Sequence, residues 1–222
     1  MGIISVENLD RLFWLGRYTE RVYTSARLFA SSFDRMIDVE IDNYAAFCSQ
    51  LDIPNIYLSK EDFCSRYIMD ETDPNSICSN LLRAYDNAIV LRNEIGSEPI
   101  TYIQLAVYDM KKSSATRAPI VGLQKVIDDI LAFWGIVDDM IENENTRNII
   151  KTGKRIERLD LFGRLQMDRI SIQREVHRLA GRITKTNLHY DTAMLSELQK
   201  LVEKEEIDYA RVVELADHLR KD

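Results

Sequence analysis

Glycine and proline are scarce, with eight and four residues in a chain of 222. Tight turns draw on those two residue types, so little material is left for an all-β fold. Cysteine is scarcer still. Cys48, Cys64 and Cys78 are odd in number and widely spaced, which makes neither a disulfide framework nor a zinc pattern and reads as reduced thiols in a cytosol. The three histidines, His177, His189 and His218, are scattered over the last quarter, and none forms the Glu-x-x-His pair of di-iron bundles. Glu214 and His218 stand four apart, the spacing of a surface pairing. No apolar run approaches the roughly 20 residues needed to span a bilayer. The N-terminus lacks the basic start and apolar centre of a signal peptide, and Val6 stands where a myristoylation motif after Met1-Gly2 wants Ser or Thr. Gly-rich phosphate loops and Gly-x-Ser-x-Gly elbows are missing too. A formal charge of −7 argues against general nucleic-acid affinity. The expectation is a cytoplasmic protein with no metal, no cofactor, no nucleic acid and no membrane partner.

What is present is helical periodicity. At 45% hydrophobic and 29% charged residues, the composition suits a folded protein with a sizeable core. Apolar residues from Leu9 to Ile37 recur at steps of three and four, predicting one long helix over about 5–37 with Ser5 as its cap. A short helix is expected over about 42–51, and another after Ser59 with Phe63 and Tyr67 inward. The turn-forming run 70–75 gives way to a helix from Ser76 to about Glu94, stopped by Gly96. Ser97 or Glu98 caps the next, to about Lys112, and a loop over 113–117 precedes a helix from Pro119 to near Glu142. That helix is apolar on most faces around Ile130, Leu131, Phe133, Trp134 and Ile136, and is therefore expected at the centre. A second long helix is expected over 146–167, with further helices over 170–186, 192–204 and 208–220. No stretch alternates as strands do and no long linker interrupts the chain. The fold class is all-α: one helical bundle domain over 1–222 with mostly antiparallel neighbours.

The two long helices carry the same constellation. Gly16 precedes Glu20-Arg21 by one turn and Arg27 follows; Gly153 precedes Glu157-Arg158 and Arg164 follows, 137 positions later. At 100° per residue, Glu20 lies about 20° from Leu9 and from Phe13, with Arg27 two turns along nearly the same line. Glu157 is close in angle to Ile150 and Gly153. The charges therefore sit at the margin of the buried stripe, where a carboxylate needs a partner. Each Gly costs its helix ~1 kcal/mol, offset by close approach of another helix or by room for a ligand. Two readings are open: each Glu bonds an Arg and fixes packing, or the two helices bring Glu and Arg together at one pseudo-twofold pocket.

Asn8-Leu9, Trp14-Leu15-Gly16-Arg17-Tyr18-Thr19-Glu20-Arg21 and Ala26-Arg27-Leu28 resemble the opening of the bacterial alpha-E family, an all-helical domain named for its Glu-Arg motifs. The resemblance continues at Asn75-Ser76-Ile77, Asp86-Asn87-Ala88, Arg92, Ile95 and Ser97-Glu98, and closes at Gly153, Glu157-Arg158 and Arg164-Leu165. Tyr85 and Ile89 stand where the family has arginines, Ile100 where it has a Trp, and roughly the last 50 residues match poorly, which marks a divergent member. The resemblance implies an accessory component found beside circularly permuted ATP-grasp ligases and transglutaminase-like peptidases, in systems that make or cleave amide bonds in small peptides. It implies no catalytic role for the domain itself.

Asp138-Asp139-Met140-Ile141-Glu142 has the carboxylate spacing with which helical isoprenoid synthases hold Mg²⁺ against a diphosphate, and equally that of an acidic helix end. Lys151, Lys154, Arg155 and Arg158 form a basic stripe that reads as a solvated face, or as a receiver for an acidic partner or peptide carboxylate. The leading expectation is a binding and scaffolding module of an ATP-grasp-linked, peptide-forming system. In it Arg17, Glu20, Arg21, Arg27, Glu157, Arg158 and Arg164, completed by Asn87 and Arg92, line a charged inter-helix site. The alternatives are an enzyme component using the paired Glu for acid–base work, a purely structural helical assembly protein, and a Mg²⁺-dependent diphosphate enzyme.

Overall fold

The computed structural model describes residues 4–38, 44–114 and 119–221. Among these residues the chain is all-α, with eleven helices and no strand. In chain order they are α1 (Val6–Asp38), α2 (Tyr44–Leu51), α3 (Lys60–Met69), α4 (Ile77–Val90), α5 (Arg92–Ile95), α6 (Ser97–Ser114), α7 (Pro119–Met140), α8 (Glu144–Arg164), α9 (Arg169–Ile183), α10 (Thr192–Val202) and α11 (Tyr209–Asp217). They fall into two compact units, Met1–Glu20 with Glu142–Asp222, and Arg21–Ile141. No helix among the described residues is long and apolar enough to cross a membrane.

In the first unit, α8 is the axis against which α9, α11 and the first part of α1 pack. Ile172, Val176, Leu179 and Ile183 give α9 a buried stripe at steps of four, three and four, and Val212, Leu215 and Ala216 do the same for α11. Four successive helix starts are capped by Asn or Asp side chains. Asn143 accepts from the Thr146 backbone N–H, Asp168 from Ser171, Asp191 from Ala193 and Met194, and Asp208 from Arg211. All four of these helices end earlier than the sequence suggests, α9 at Ile183 and α10 at Val202 among them. α8 stops at Arg164 because Gln166 takes a left-handed conformation, φ 47°. α11 stops at Asp217, and the chain then pairs with residues 189–191: Asp191 N–H donates to Leu219 O at 2.8 Å and Lys221 N–H to His189 O at 3.0 Å. Arg220 is thereby brought 2.8 Å from Asp10 and over the ring of Phe13.

The second unit holds an aromatic cluster in which Phe29 of α1, Phe47 of α2, and Phe63 and Tyr67 of α3 interlock with Tyr57. Ser59 caps α3 as expected, accepting from Asp62 N–H. The helix expected from Ser76 to Glu94 breaks at Leu91 (ψ 11°). A single turn, α5, follows and ends at Gly96, whose φ of 78° suits only glycine. α6 and α7 pack closely, a Cβ on Gly122 falling 1.9 Å from the Ser113 Cβ. α7 is one-sided rather than apolar all round: Val126, Ile130, Phe133 and Val137 are buried while Leu131 is exposed. It ends at Met140, so Glu142 lies beyond the helix that was to align it with Asp138 and Asp139. Of the expected 113–117 loop, Ser113 and Ser114 are helical and 115–117 lie outside the described residues, as do positions 42 and 43 of the short helix.

Candidate functional site at the helix crossing

α1 and α8 meet where neither has a side chain. A Cβ built on Gly16 would stand 1.9 Å from the Ile150 carbonyl oxygen and 2.9 Å from the Lys154 nitrogen. One on Gly153 would stand 2.0 Å from the Phe13 carbonyl oxygen and 3.2 Å from the Arg17 nitrogen. Shifting 13, 16 and 17 by 137 gives 150, 153 and 154, so the two sets of contacts are reciprocal, as about a pseudo-twofold axis. Backbones come this close only where Cβ is missing. The helix-propensity cost of the two glycines is the cost of the crossing.

One turn beyond each glycine stands a glutamate that pairs with an arginine of the other helix. Arg158 of α8 clasps Glu20 of α1 with both prongs, Nε to Oε1 at 2.6 Å and Nη2 to Oε2 at 2.9 Å. Arg17 of α1 donates from Nε to Glu157 Oε2 of α8 at 2.6 Å and from Nη2 to Asp217 Oδ1 at 3.1 Å. Both glutamates are 0% exposed, deeper than the core margin that their helical angle indicates. An angle within one helix does not include the neighbour that closes over its flank. Burial works against the Arg17 charge, but the Glu157 and Asp217 carboxylates outweigh it and hold the guanidinium above its ordinary range.

Glu175 of α9 joins from another side. Its Oε2 accepts from Arg155 at 2.5 Å, its Oε1 from Arg178 at 2.8 Å, and Arg158 lies 4.0 Å away. Burial would raise this carboxyl, but the three arginines prevail and lower it. Asp160, bonded by Arg164 at 3.0 Å and 3.2 Å, is instead pushed up to about 6 by burial and by Asp217 and Glu157 nearby. Lysines on the same helix carry the opposite mark. Burial takes Lys154 down to about 7, with Arg158, Arg155 and Lys151 adding to the effect and Glu20 opposing it; burial, Arg182 and Arg155 take Lys151 to about 8.

A family model matches residues 7–197: Alpha-E, described as a predicted alpha-helical domain with a conserved ER motif. The chain belongs to the Alpha-E family. No curated protein and no solved structure matches it significantly. The Alpha-E match runs through both compact units and ends within α10, so Asp217 lies outside the matched residues while bonding to Arg17 inside them.

Of the residues singled out in this Alpha-E sequence, Arg17, Glu20, Glu157, Arg158 and Arg164 come together in the first unit. Arg164 turns to Asp160 of its own helix and lies 3.9 Å from Asp217. The other four belong to the second unit. There Arg21 acts electrostatically on Tyr67. Arg27 donates to the Tyr23 hydroxyl at 2.9 Å and lies over its ring. Asn87 is half-buried in α4, and Arg92 is exposed at the start of α5. Sequence reasoning missed Glu175, Asp160 and Asp217. Glu175 had the same signal as Glu20, an acid three residues after Ile172 and next to Val176 on a buried stripe. Elsewhere, burial pushes the Cys48 and Cys78 thiols up to about 11, far from a nucleophile's range. His218 Nδ1 sits 2.9 Å from the backbone oxygen of Glu214, whose carboxylate pairs with Arg211. Among the described residues no three His, Cys, Asp or Glu side chains are grouped to hold a metal ion.

Proposed function

We propose that this Alpha-E protein is an accessory binding and scaffolding module of an ATP-grasp-linked system that forms or modifies amide bonds in small peptides. In this reading the Gly–Glu–Arg constellation is the lock that keeps the module in shape. The observation that carries the scaffolding part is the cross-helix pairing of two fully buried carboxylates, Glu20 with Arg158 and Glu157 with Arg17. A general acid or base must reach its substrate's proton, and two carboxylates closed from solvent and held by arginines are poorly disposed to do so. The link to ATP-grasp and transglutaminase-like partners rests on what the resemblance of the Glu-Arg motifs implies. Recovery of the tagged chain from its native host tests it: an ATP-grasp or transglutaminase-like protein is expected in the eluate by mass spectrometry. Repeated recovery with neither would contradict the partnership.

A further inference from the structure

α9 runs against the charge of the chain. It carries Arg169, Arg174, Arg178, Arg182 and His177 against a single acid, Glu175, in a protein of formal charge −7. Ile172, Val176, Leu179 and Ile183 form its buried stripe. At 100° per residue, Ile170, Arg174, His177, Arg178 and Gly181 fall on the opposite side, within about 100° of one another. All five are exposed. Ile170 is 73% exposed, an aliphatic side chain on the face of an amphipathic helix that is otherwise given to polar groups.

The same face is hollowed. Ile170, Gln173, Arg174, His177 and Arg178 line a depression of about 480 Å³ that is open to solvent. Its acid at the rim, Glu203, accepts from Gln173 Nε2 at 3.0 Å and lies 3.5 Å from His177 Nε2. Arg178 donates to Glu175 with its side chain still 49% exposed. Arg174 makes no ion pair among the described residues, and its charge reaches Asp168 only at longer range. Elsewhere on the surface Arg11, Arg66 and Arg211 are each matched by a carboxylate of this chain. Beyond the depression, nothing lies within 4 Å of a Cβ position on Gly181, so a second backbone has room to approach there.

We propose that the exposed face of α9 from Ile170 to Gly181 is a docking surface for an acidic, amphipathic helix of a partner protein. Carboxylates of that helix meet Arg174 and Arg178, whose forked donors suit them, and an apolar side chain settles on Ile170. The spacing of Ile170, Gln173, Arg174, His177 and Arg178 is that of a helical stripe, which a second helix matches with anchors at steps of three and four. Nucleic acid is the poorer fit, because a long polyanion meets the overall charge of −7 and leaves Ile170 without a contact. The proposal deepens the scaffolding reading by naming the surface through which the module holds a partner, and rests on that reading for its biological meaning. Binding is measured on the isolated chain, so its outcome is separate from whichever protein co-purifies.

The test is fluorescence anisotropy of a labelled peptide, two repeats of Glu-Leu-Ala-Glu-Glu-Leu-Ala, titrated with the full chain at pH 7. Saturable binding is expected, weakening as NaCl is raised, with the same peptide carrying Gln for Glu at least tenfold weaker. Arg174→Glu should weaken the apparent Kd at least tenfold while leaving the thermal midpoint unchanged, because Arg174 makes no ion pair. Ile170→Ser should weaken it at least threefold, an effect that charge alone does not give. Lys125→Glu, the same change of charge on exposed α7 surface of the other unit, should alter it less than twofold. Absence of saturable binding overturns the proposal, as does an equal loss in Arg174→Glu and Lys125→Glu. So does tighter binding of a single-stranded DNA of equal charge that Arg174→Glu abolishes, which would give the face to nucleic acid. A dimer in analytical ultracentrifugation that Arg174→Glu dissolves would give it to a second copy of the chain, with the same consequence.

Discussion

Glu20 loses most if its partner is removed, because Arg158 bonds both of its oxygens and nothing of the carboxylate reaches water. Breaking one side of a buried pair leaves the other charge stranded, at about 3–5 kcal/mol. Glu20→Ala is therefore expected to lower the unfolding free energy by about 4 kcal/mol, read by urea denaturation. Asp160 and the two lysines set a pH profile whose sign can be worked out. Asp160, held at about 6, binds its proton more tightly folded than unfolded, so its contribution is full below its ordinary value near 3.8 and is lost as pH rises through 6. Lys154 and Lys151, at about 7 and about 8, bind theirs less tightly folded. Their contribution is present above 10.5 and is lost as pH falls through 8 and 7. These three groups make stability fall between pH 4 and 6 and rise between pH 7 and 10. Lys154→Met should flatten the upper limb, and Asp160→Asn the lower, in midpoints measured across pH.

The crossing of α1 with α8 depends on two absent side chains. Gly16→Ala and Gly153→Ala would each drive a Cβ to 1.9 Å and 2.0 Å of a backbone carbonyl oxygen, which has no flexible end to yield. Each is expected to destabilise by about 3 kcal/mol. Gly181 in α9 is the control: nothing lies within 4 Å of its Cβ position, so Gly181→Ala should stabilise by roughly 0.5–1 kcal/mol. Much of this was legible in the sequence. The helical angle of Glu20, its echo at Glu157 and the glycine one turn before each pointed to a charged helix–helix contact. What could not be read was which arginine meets which glutamate, because periodicity gives the face of a helix and not its neighbour. The break at Leu91 was hidden for a related reason: Leu91 continues the apolar period of α4, and its burial satisfies the pattern in either conformation. Leu131 misled in the other direction, an apolar side chain that α7 leaves in water.

The segment after residue 197, beyond the family match, is part of the packed structure rather than an appendage. α11 buries Val212, Leu215 and Ala216 beside α8, Asp217 bonds Arg17, and Arg220 reaches Asp10 and Phe13 of α1. Ending the chain at Glu206 removes those contacts. Three buried side chains and an arginine's second carboxylate amount to several kcal/mol, so the shortened chain is expected to lose its sharp thermal transition while retaining helical circular dichroism. A shortened chain that unfolds as the full one does would show α11 to be dispensable.

The lock itself is tested most directly by a double-mutant cycle on Glu20→Gln and Arg158→Met, with unfolding free energies from urea denaturation. Each single change should destabilise the chain, and the double change should cost far less than their sum, giving a coupling of about 2–3 kcal/mol. Additive costs, with a coupling below about 0.5 kcal/mol, would show that the two residues do not hold the helices together.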